Sequence, residues 1–342
     1  MCAKKAFSLT VLAIMALLGA APSVSAEEVN LYSARQEALI KPLLDAFTAK
    51  TKIAVNLVTG NEDALLKRLE SEGANSPADL LLTSDVGRLF RAKLAGVTQS
   101  FASAAISTAV PSQYRDPDGH WVGLSLRARP ILYVKGKIDP AKLSSYEDLA
   151  DPKWTKRICI RSSSSIYNQS LVASMIAAHG VEKTEVWAKG LVANLAMPPK
   201  GGDRDQIKAA AAGQCDIAVA NTYYLAGMMT SRDQGEGSAA QKMAVFWPNQ
   251  EGRGVHVNIS GAALTKAAKN KTAAIKLVEF LASPDSQAWY AEANGEYPVR
   301  ADVGEGALLK SWGRFKADGI NLAKLGENNA AAVKLMDRVG WK

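Results

Sequence analysis

The sequence predicts an α/β protein of two lobes, each a mainly parallel sheet flanked by helices, with a ligand cleft between the lobes. Three observations predict it. Strand-like and helix-like segments alternate through roughly the first 95 residues. The alternation then restarts near Arg129. The chain of 342 residues is long enough for two domains of roughly 150 residues each.

The N-terminal stretch stands apart from this pattern. "MCAKKAFSLTVLAIMALLGAAPSVSAEE" has Lys4 and Lys5, an apolar run from about Ala6 to Ala21, and small residues ending in Val24-Ser25-Ala26. It reads as a secretory leader over 1–26, cut after Ala26. The apolar run is a little short for a membrane span. Cys2 precedes it, the wrong place for a lipid-attachment cysteine. Removing 26 of the 342 residues leaves 316, and removing Lys4 and Lys5 takes the net charge from +8 to +6. The basic residues are scattered and form no run interleaved with aromatics, so nucleic acid is not an expected partner. No second long apolar run occurs, so the processed chain is not expected to insert in a membrane.

The elements follow in order. "VNLYSA" is a strand, and "EALIKPLLDAFTAK" carries helical apolar spacing at Leu39, Leu43, Leu44 and Phe47. "IAVNLVTG" is a second strand, and "NEDALLKRLESEG" a helix capped by Asn61 and stopped by Gly73. "ADLLLTS" and "DVGRLFRAKLAG" complete the first lobe's alternation. In the second half, "RPILYVKG" and "RICIRS" read as strands, separated by the polar connection "LSSYEDLADPKW". Helices follow at "QSLVASMIAAHG", "KTEVWAKGLVANL" and "RDQIKAAAAG", and "DIAVAN" is a strand feeding "TYYLAGMM". "MAVFWP" and "GVHVNISGAALT" are strands near a return crossing. "KNKTAAIKLVEFLASPDSQAWYAEANG" is two helices broken at Ser283-Pro284, and the tail from about Gly306 is helical. The expected organisation is a first-lobe segment at 27–108, a segment at 109–254 that is mostly the second lobe, a returning first-lobe segment at 255–300, and C-terminal helices at 301–342.

Enzyme signatures are absent: there is no G-x-S-x-G elbow, no phosphate-cradling G-x-x-x-x-G-K-[ST], and no strand-borne G-x-G-x-x-G. The three histidines, His120, His179 and His256, form no metal-binding spacing. His179 precedes Gly180 at a helix end, where an imidazolium suits the dipole. The serine run Ser162–Ser165 shows no accompanying base. Beyond the leader the only cysteines are Cys159 and Cys215. In an oxidising compartment they are expected to pair; the alternative is two separate buried thiols.

The chemistry concentrates in tyrosines and arginines. Tyr223 and Tyr224 follow Asn221 and Thr222, both good N-cap types, and so occupy the first turn of a helix at the carboxyl end of a strand. Tyr167 has the same setting after "RICIRS". Crevices at strand carboxyl ends are where such sheets bind ligands. Helix N-termini favour negative charge, and hard oxygen donors suit a hard trivalent cation. Tyrosines at a cleft edge also pack or stack on organic ligands, and spacing alone does not separate the two. Arg35 and Gln36 end the first strand; Arg127 and Arg129 stand where the second half begins. Their guanidinium forks suit a small oxyanion, or alternatively surface charge and hinge ion pairs.

Taken together, "LYSARQEALIKPLLDAFTAKT", "SPADLLLTSD", "GLSLRARPILYVK", "YEDLADPKW", "ICIRSSSSIYNQSLVAS", "CDIAVANTYYLAGM" and "NGEYPVR" resemble the periplasmic ferric-iron-binding proteins of ABC importers. The resemblance runs over nearly all of the processed chain. It implies the two-lobed periplasmic-binding-protein fold of type II, and Fe(III) held by Tyr167, Tyr223 and Tyr224. It further implies a synergistic anion, carbonate or bicarbonate, on Arg35, Gln36 and Arg127. The expected partners are an inner-membrane ABC permease and its ATPase. The protein is expected in the periplasm, as a monomer with no catalytic step. Several members carry a histidine or a histidine-tyrosine pair after the first strand, where this chain has Gln36 and Glu37. It therefore resembles the subgroup with three tyrosines from one lobe, in which an anion completes the metal shell. Glu37 stays open as a direct ligand. Two other readings remain: a binding protein of this fold for a polyamine or thiamine, and a secreted serine hydrolase using Ser162–Ser165.

Overall fold

A computed structural model describes residues 27–342; the leader expected at 1–26 lies outside the described residues. The first alternation appears as β1 (Glu28–Ser33), α1 (Lys41–Thr51), β2 (Ala54–Thr59), α2 (Glu62–Glu72), β3 (Leu80–Ser84) and α3 (Val86–Leu94). Local causes are visible. α1 buries Leu43, Leu44 and Phe47, one stripe of its surface. Asn61 Oδ1 accepts from the Asp63 and Ala64 amides at 3.0 and 3.3 Å, which caps α2. Gly73, at φ 52°, ends it in a conformation that glycine adopts without strain.

A short helix, α4 (Ala104–Ala109), leads to β4 (Trp121–Ala128), buried along its whole length. The chain then crosses to β5 (Ile131–Val134). The polar connection that follows forms 3₁₀ turns. Next come β6 (Ile158–Cys159), α5 (Ile166–His179), α6 (Val181–Ala193), α7 (Asp203–Ala211), β7 (Ile217–Val219), α8 (Thr222–Met229), α9 (Gln234–Gln241) and β8 (Met243–Phe246). The return crossing enters β9 (Val257–Leu264) and continues into α10 (Lys271–Leu281) and α11 (Pro284–Asn294). The last two helices break at Ser283-Pro284, as the sequence predicts. The tail carries α12 (Ala307–Lys310), α13 (Ala323–Glu327) and α14 (Asn329–Arg338).

Two sheets result, ordered β2-β1-β3-β9-β4 and β6-β7-β5-β8. Both are mixed, not mainly parallel. β1 pairs parallel with β2 and β3, and β6 with β7, as the β-α-β segments require. β9 runs antiparallel to both β3 and β4, and β5 to both β7 and β8. The cause is the double crossing. β4 runs toward the cleft and leaves for the second sheet, whereas β9 arrives from that sheet and runs away from the cleft. β5, likewise, enters its sheet from the cleft side. β4 therefore pairs in the first sheet, inside the 109–254 segment expected to be mostly second lobe. The 255–300 segment returns to the first sheet through β9, with α10 packed on β1 and β9. In the 301–342 segment, α13 packs on both α3 and α5, bridging the two halves.

Cys159 and Cys215 are disulfide-bonded, with Cα atoms 6.0 Å apart. Both are buried, and the bond joins β6 to the residue leading into β7. With the cysteines 56 positions apart, loop closure in the unfolded chain is worth about 4 kcal/mol on the chain-entropy model. The double variant Cys159→Ser/Cys215→Ser is expected to lose roughly 2–4 kcal/mol of unfolding free energy in urea melts. A melt unchanged within error, or two reactive thiols in the unfolded wild-type chain, contradicts a structural bond.

Candidate metal centre

The carboxyl ends of β1 and β3 in one sheet, and of β6 and β7 in the other, face a common cleft of about 640 Å³. Tyr167, Tyr223, Tyr224, Arg35, Gln36 and Arg127 all line it. Residues up to 261 positions apart thus meet at one place.

The tyrosines enter from two helix N-termini. Tyr167 is in the first turn of α5, and Tyr223 and Tyr224 are in the first turn of α8. A strand would have sent adjacent phenols to opposite faces; the helical turn lets both reach the cleft. The Tyr223 hydroxyl donates to the Tyr167 hydroxyl at 3.2 Å. The Tyr223 and Tyr224 rings lie 4.2 Å apart between centroids, and Tyr167 and Tyr224 6.5 Å. Asn221 precedes α8 as expected, but its side chain does not cap its own helix. It accepts instead from the buried Arg129 at 3.0 Å.

Burial, then the neighbouring phenols, pushes the Tyr223 hydroxyl well above the ordinary tyrosine range, with Arg127 opposing. Burial likewise raises Tyr224, reinforced by Tyr167 and Asp203. The helix-terminal field expected to favour phenolate is outweighed by desolvation. In the ligand-free protein these two phenols are therefore neutral near pH 7.

The arginines differ from one another. The Arg127 guanidinium lies 5.4 Å from the Tyr167 ring centre and 5.9 Å from that of Tyr223. One of its terminal nitrogens donates to the Ile259 carbonyl, while its Nε is buried without a partner. Burial works against its charge, but Tyr167, Tyr223, Asp85 and Glu296 raise its pKa overall. Arg35 is already paired: its Nη2 lies 2.8 Å from Glu296 Oε2, and both side chains are under a tenth exposed. Burial disfavours the Glu296 carboxylate, yet Arg35, Arg127 and Ser125 hold it below the usual carboxylate range. Gln36 is exposed on the rim. Glu37 does not line the cleft; it borders a separate hollow with Lys41 and Asp45.

Four further charged residues belong to the cleft or its walls. Glu62, Arg204 and Glu296 line it. Arg161 stands 5.6 Å from the Tyr167 ring centre and pairs with Asp203 at 2.8 Å. Glu296 lies in "NGEYPVR", a stretch that carried the family resemblance without a role being assigned to its acid.

Other chemistries find little support in the geometry. Among the described residues, no group of three or more His, Cys, Asp and Glu could hold a metal. Ser162 Oγ faces Ser164 Oγ at 2.6 Å. His120 pairs with Thr98 and His179 with Glu147, both away from the serines. No described helix is long and apolar enough to cross a membrane.

Residues 75–322 match the family described as bacterial extracellular solute-binding protein. The chain belongs to that family. Within this solute-binding family it is 50% identical over 316 residues to Iron uptake protein A1 of Synechocystis, covering 92% of this chain and 88% of the relative. It is 28% identical over 329 residues to the Fe(3+)-binding periplasmic protein of Serratia marcescens. The solved Trichodesmium protein IdiA/FutA, in complex with iron and citrate ligands, matches with a TM-score of 0.90 and 51% identity, over 92% of this chain and all of that one. This solute-binding protein thus groups with iron-uptake and ferric-binding relatives along nearly its whole length.

Proposed function

We propose that this protein is a periplasmic receptor that captures Fe(III) through the phenolates of Tyr167, Tyr223 and Tyr224. It then delivers the metal, as a monomer, to an inner-membrane ABC permease and its ATPase. The observation that carries the proposal is the convergence of three phenols at the cleft, two of their oxygens 3.2 Å apart. Phenol oxygens gathered this closely can bind one cation once their protons leave. The names of the relatives, iron uptake protein and Fe(3+)-binding protein, support iron as that cation.

Unfilled donor positions favour an accompanying anion. Three phenolates neutralise one trivalent ion, and Arg35 neutralises Glu296. Arg127 hydrogen-bonds only the Ile259 carbonyl and keeps a buried Nε without a partner, leaving donor capacity beside the phenols. A small oxyanion such as carbonate or bicarbonate, received by Arg127 and Gln36, would take up that capacity and occupy open coordination positions. Arg35 then acts mainly by holding Glu296, more than by gripping the anion. A polyamine or thiamine cation is disfavoured beside Arg127, Arg161 and Arg204, and a serine hydrolase lacks a base beside Ser162–Ser165. Binding and release need no catalytic step.

Phenolate-to-Fe(III) charge transfer absorbs visible light. The purified protein mixed with ferric citrate is expected to turn orange to red. The band should weaken sharply in Tyr224→Phe and shift when bicarbonate is removed. A protein that stays colourless with ferric citrate ends this reading.

A further inference from the structure

The two turns that carry the tyrosines are held by one buried guanidinium. Arg129 is 1% exposed and lies on the chain as it crosses from β4 to β5. Its Nη2 donates to Asn168 Oδ1 at 2.6 Å, one residue after Tyr167. Its Nη1 donates to Asn221 Oδ1 at 3.0 Å, two residues before Tyr223. The same Nη1 meets Asp203 Oδ1 at 2.8 Å. Asp203, fully buried at the start of α7, uses its other oxygen to hold Arg161, which lies against the Tyr167 ring. Asn168 in turn donates to the Arg161 and Ser162 carbonyls, fixing the serine turn that leads into α5.

The backbone of Arg129 is tied to the other crossing. Its amide donates to the His256 carbonyl at 3.0 Å, just before β9, and its carbonyl accepts from the Tyr146 hydroxyl at 2.6 Å. The Tyr146 hydroxyl also receives the His256 amide at 3.1 Å. One residue therefore joins both interlobe crossings to both tyrosine-bearing turns.

We propose that Arg129 is the positioning residue of the phenol triad. Its rigid fork sets the separation of the Tyr167 turn from the Tyr223–Tyr224 turn, and it links that separation to the backbone crossings about which the lobes would move. A guanidinium can do this because its donors are planar and fixed relative to one another. Lysine at this position can still neutralise Asp203, but a single ammonium cannot occupy both donor positions at once. The proposal rests on tyrosinate ligation of Fe(III) and predicts a defect that loss of stability alone does not produce.

The test compares the wild-type protein with Arg129→Lys, each titrated with ferric citrate. Three quantities are measured: iron affinity in competition with citrate, the energy and intensity of the visible band, and protons released per iron. Removing buried hydrogen bonds to a charged group should lower affinity about ten- to a hundredfold. The band should shift and fewer protons should leave, because one phenol no longer reaches the metal. If Arg129→Lys folds and keeps the wild-type band, proton count and affinity, Arg129 does not position the phenols. Should Arg129→Lys fail to fold, Asn168→Ala and Asn221→Ala give the same readouts, since each leaves the Arg129–Asp203 pair in place. Unchanged bands and proton counts in both would likewise overturn the proposal. A wild-type protein with no ferric band refutes tyrosinate ligation itself, a result distinct from either variant outcome.

Discussion

Tyr223→Phe is expected to lower Fe(III) affinity by more than about a hundredfold, beyond the ten- to hundredfold typical of losing an outer partner of a metal ligand. Two costs add. The metal loses an anionic oxygen donor, and the site then keeps a net positive charge next to Arg127, whose guanidinium lies 5.9 Å from that ring. Ligand-free stability should hardly change. The phenol is half-buried, its hydroxyl donates to Tyr167 Oη, and the phenylalanine ring still packs against Tyr224. The expected change in unfolding free energy is within about 1 kcal/mol. Titration against citrate, read at the visible band, gives the affinity, and thermal melts of the ligand-free protein give the stability. A loss of affinity of tenfold or less, with the band retained, removes Tyr223 from the ligand set. A large fall in ligand-free stability instead assigns the hydroxyl a structural role.

The contrast between Tyr223 and Arg35 explains which parts of the site the sequence made visible. The tyrosines could be found because their setting is local: a strand, a turn with capping residues, then phenols in the first helical turn. Each of these signals fits within about ten residues. The partner of Arg35 could not be found that way. Glu296 is 261 positions distant and reaches Arg35 only because β9 brings the chain back to the first sheet, where α11 then packs. The same long return hid the mixed character of the sheets, since β-α-β alternation speaks for parallel pairs and is silent on strands that cross between lobes. Arg129 was visible as a position at the lobe entrance, but its grip on Asn168, Asn221 and Asp203 depends on three separate helices converging. Asn221 is instructive here: its residue type fits an N-cap, yet tertiary structure gave its oxygen to a buried cation instead.

Iron affinity should fall steeply as the pH drops from 8 to 5, in a window where the ligand-free protein stays folded. The sign follows from the phenols. Tyr223 and Tyr224 are raised above the ordinary tyrosine range by burial, so both carry their protons throughout this window. Every phenolate formed on binding must release a proton, and acid opposes that release. With three phenolates the apparent association constant changes by up to about a thousandfold per pH unit, once the chelator's own protonation is subtracted. These same groups do not make folding pH-dependent here. A raised phenol pKa gives stability that is complete below the ordinary tyrosine value and is lost only as alkaline pH passes the folded value. Glu296 is shifted the other way: its contribution is complete above the ordinary glutamate range and fades only as pH falls through its lowered folded value. Melting temperatures of the ligand-free protein, measured in parallel, should therefore stay nearly level from pH 8 down to the ordinary histidine range and fall modestly below it, because burial keeps His256 neutral in the fold while the unfolded chain takes up a proton; the affinity collapses across the whole range. Proton release measured at fixed pH gives the ligand count directly. Affinity flat across that range, or release of one proton or none per iron, contradicts capture by the three tyrosines.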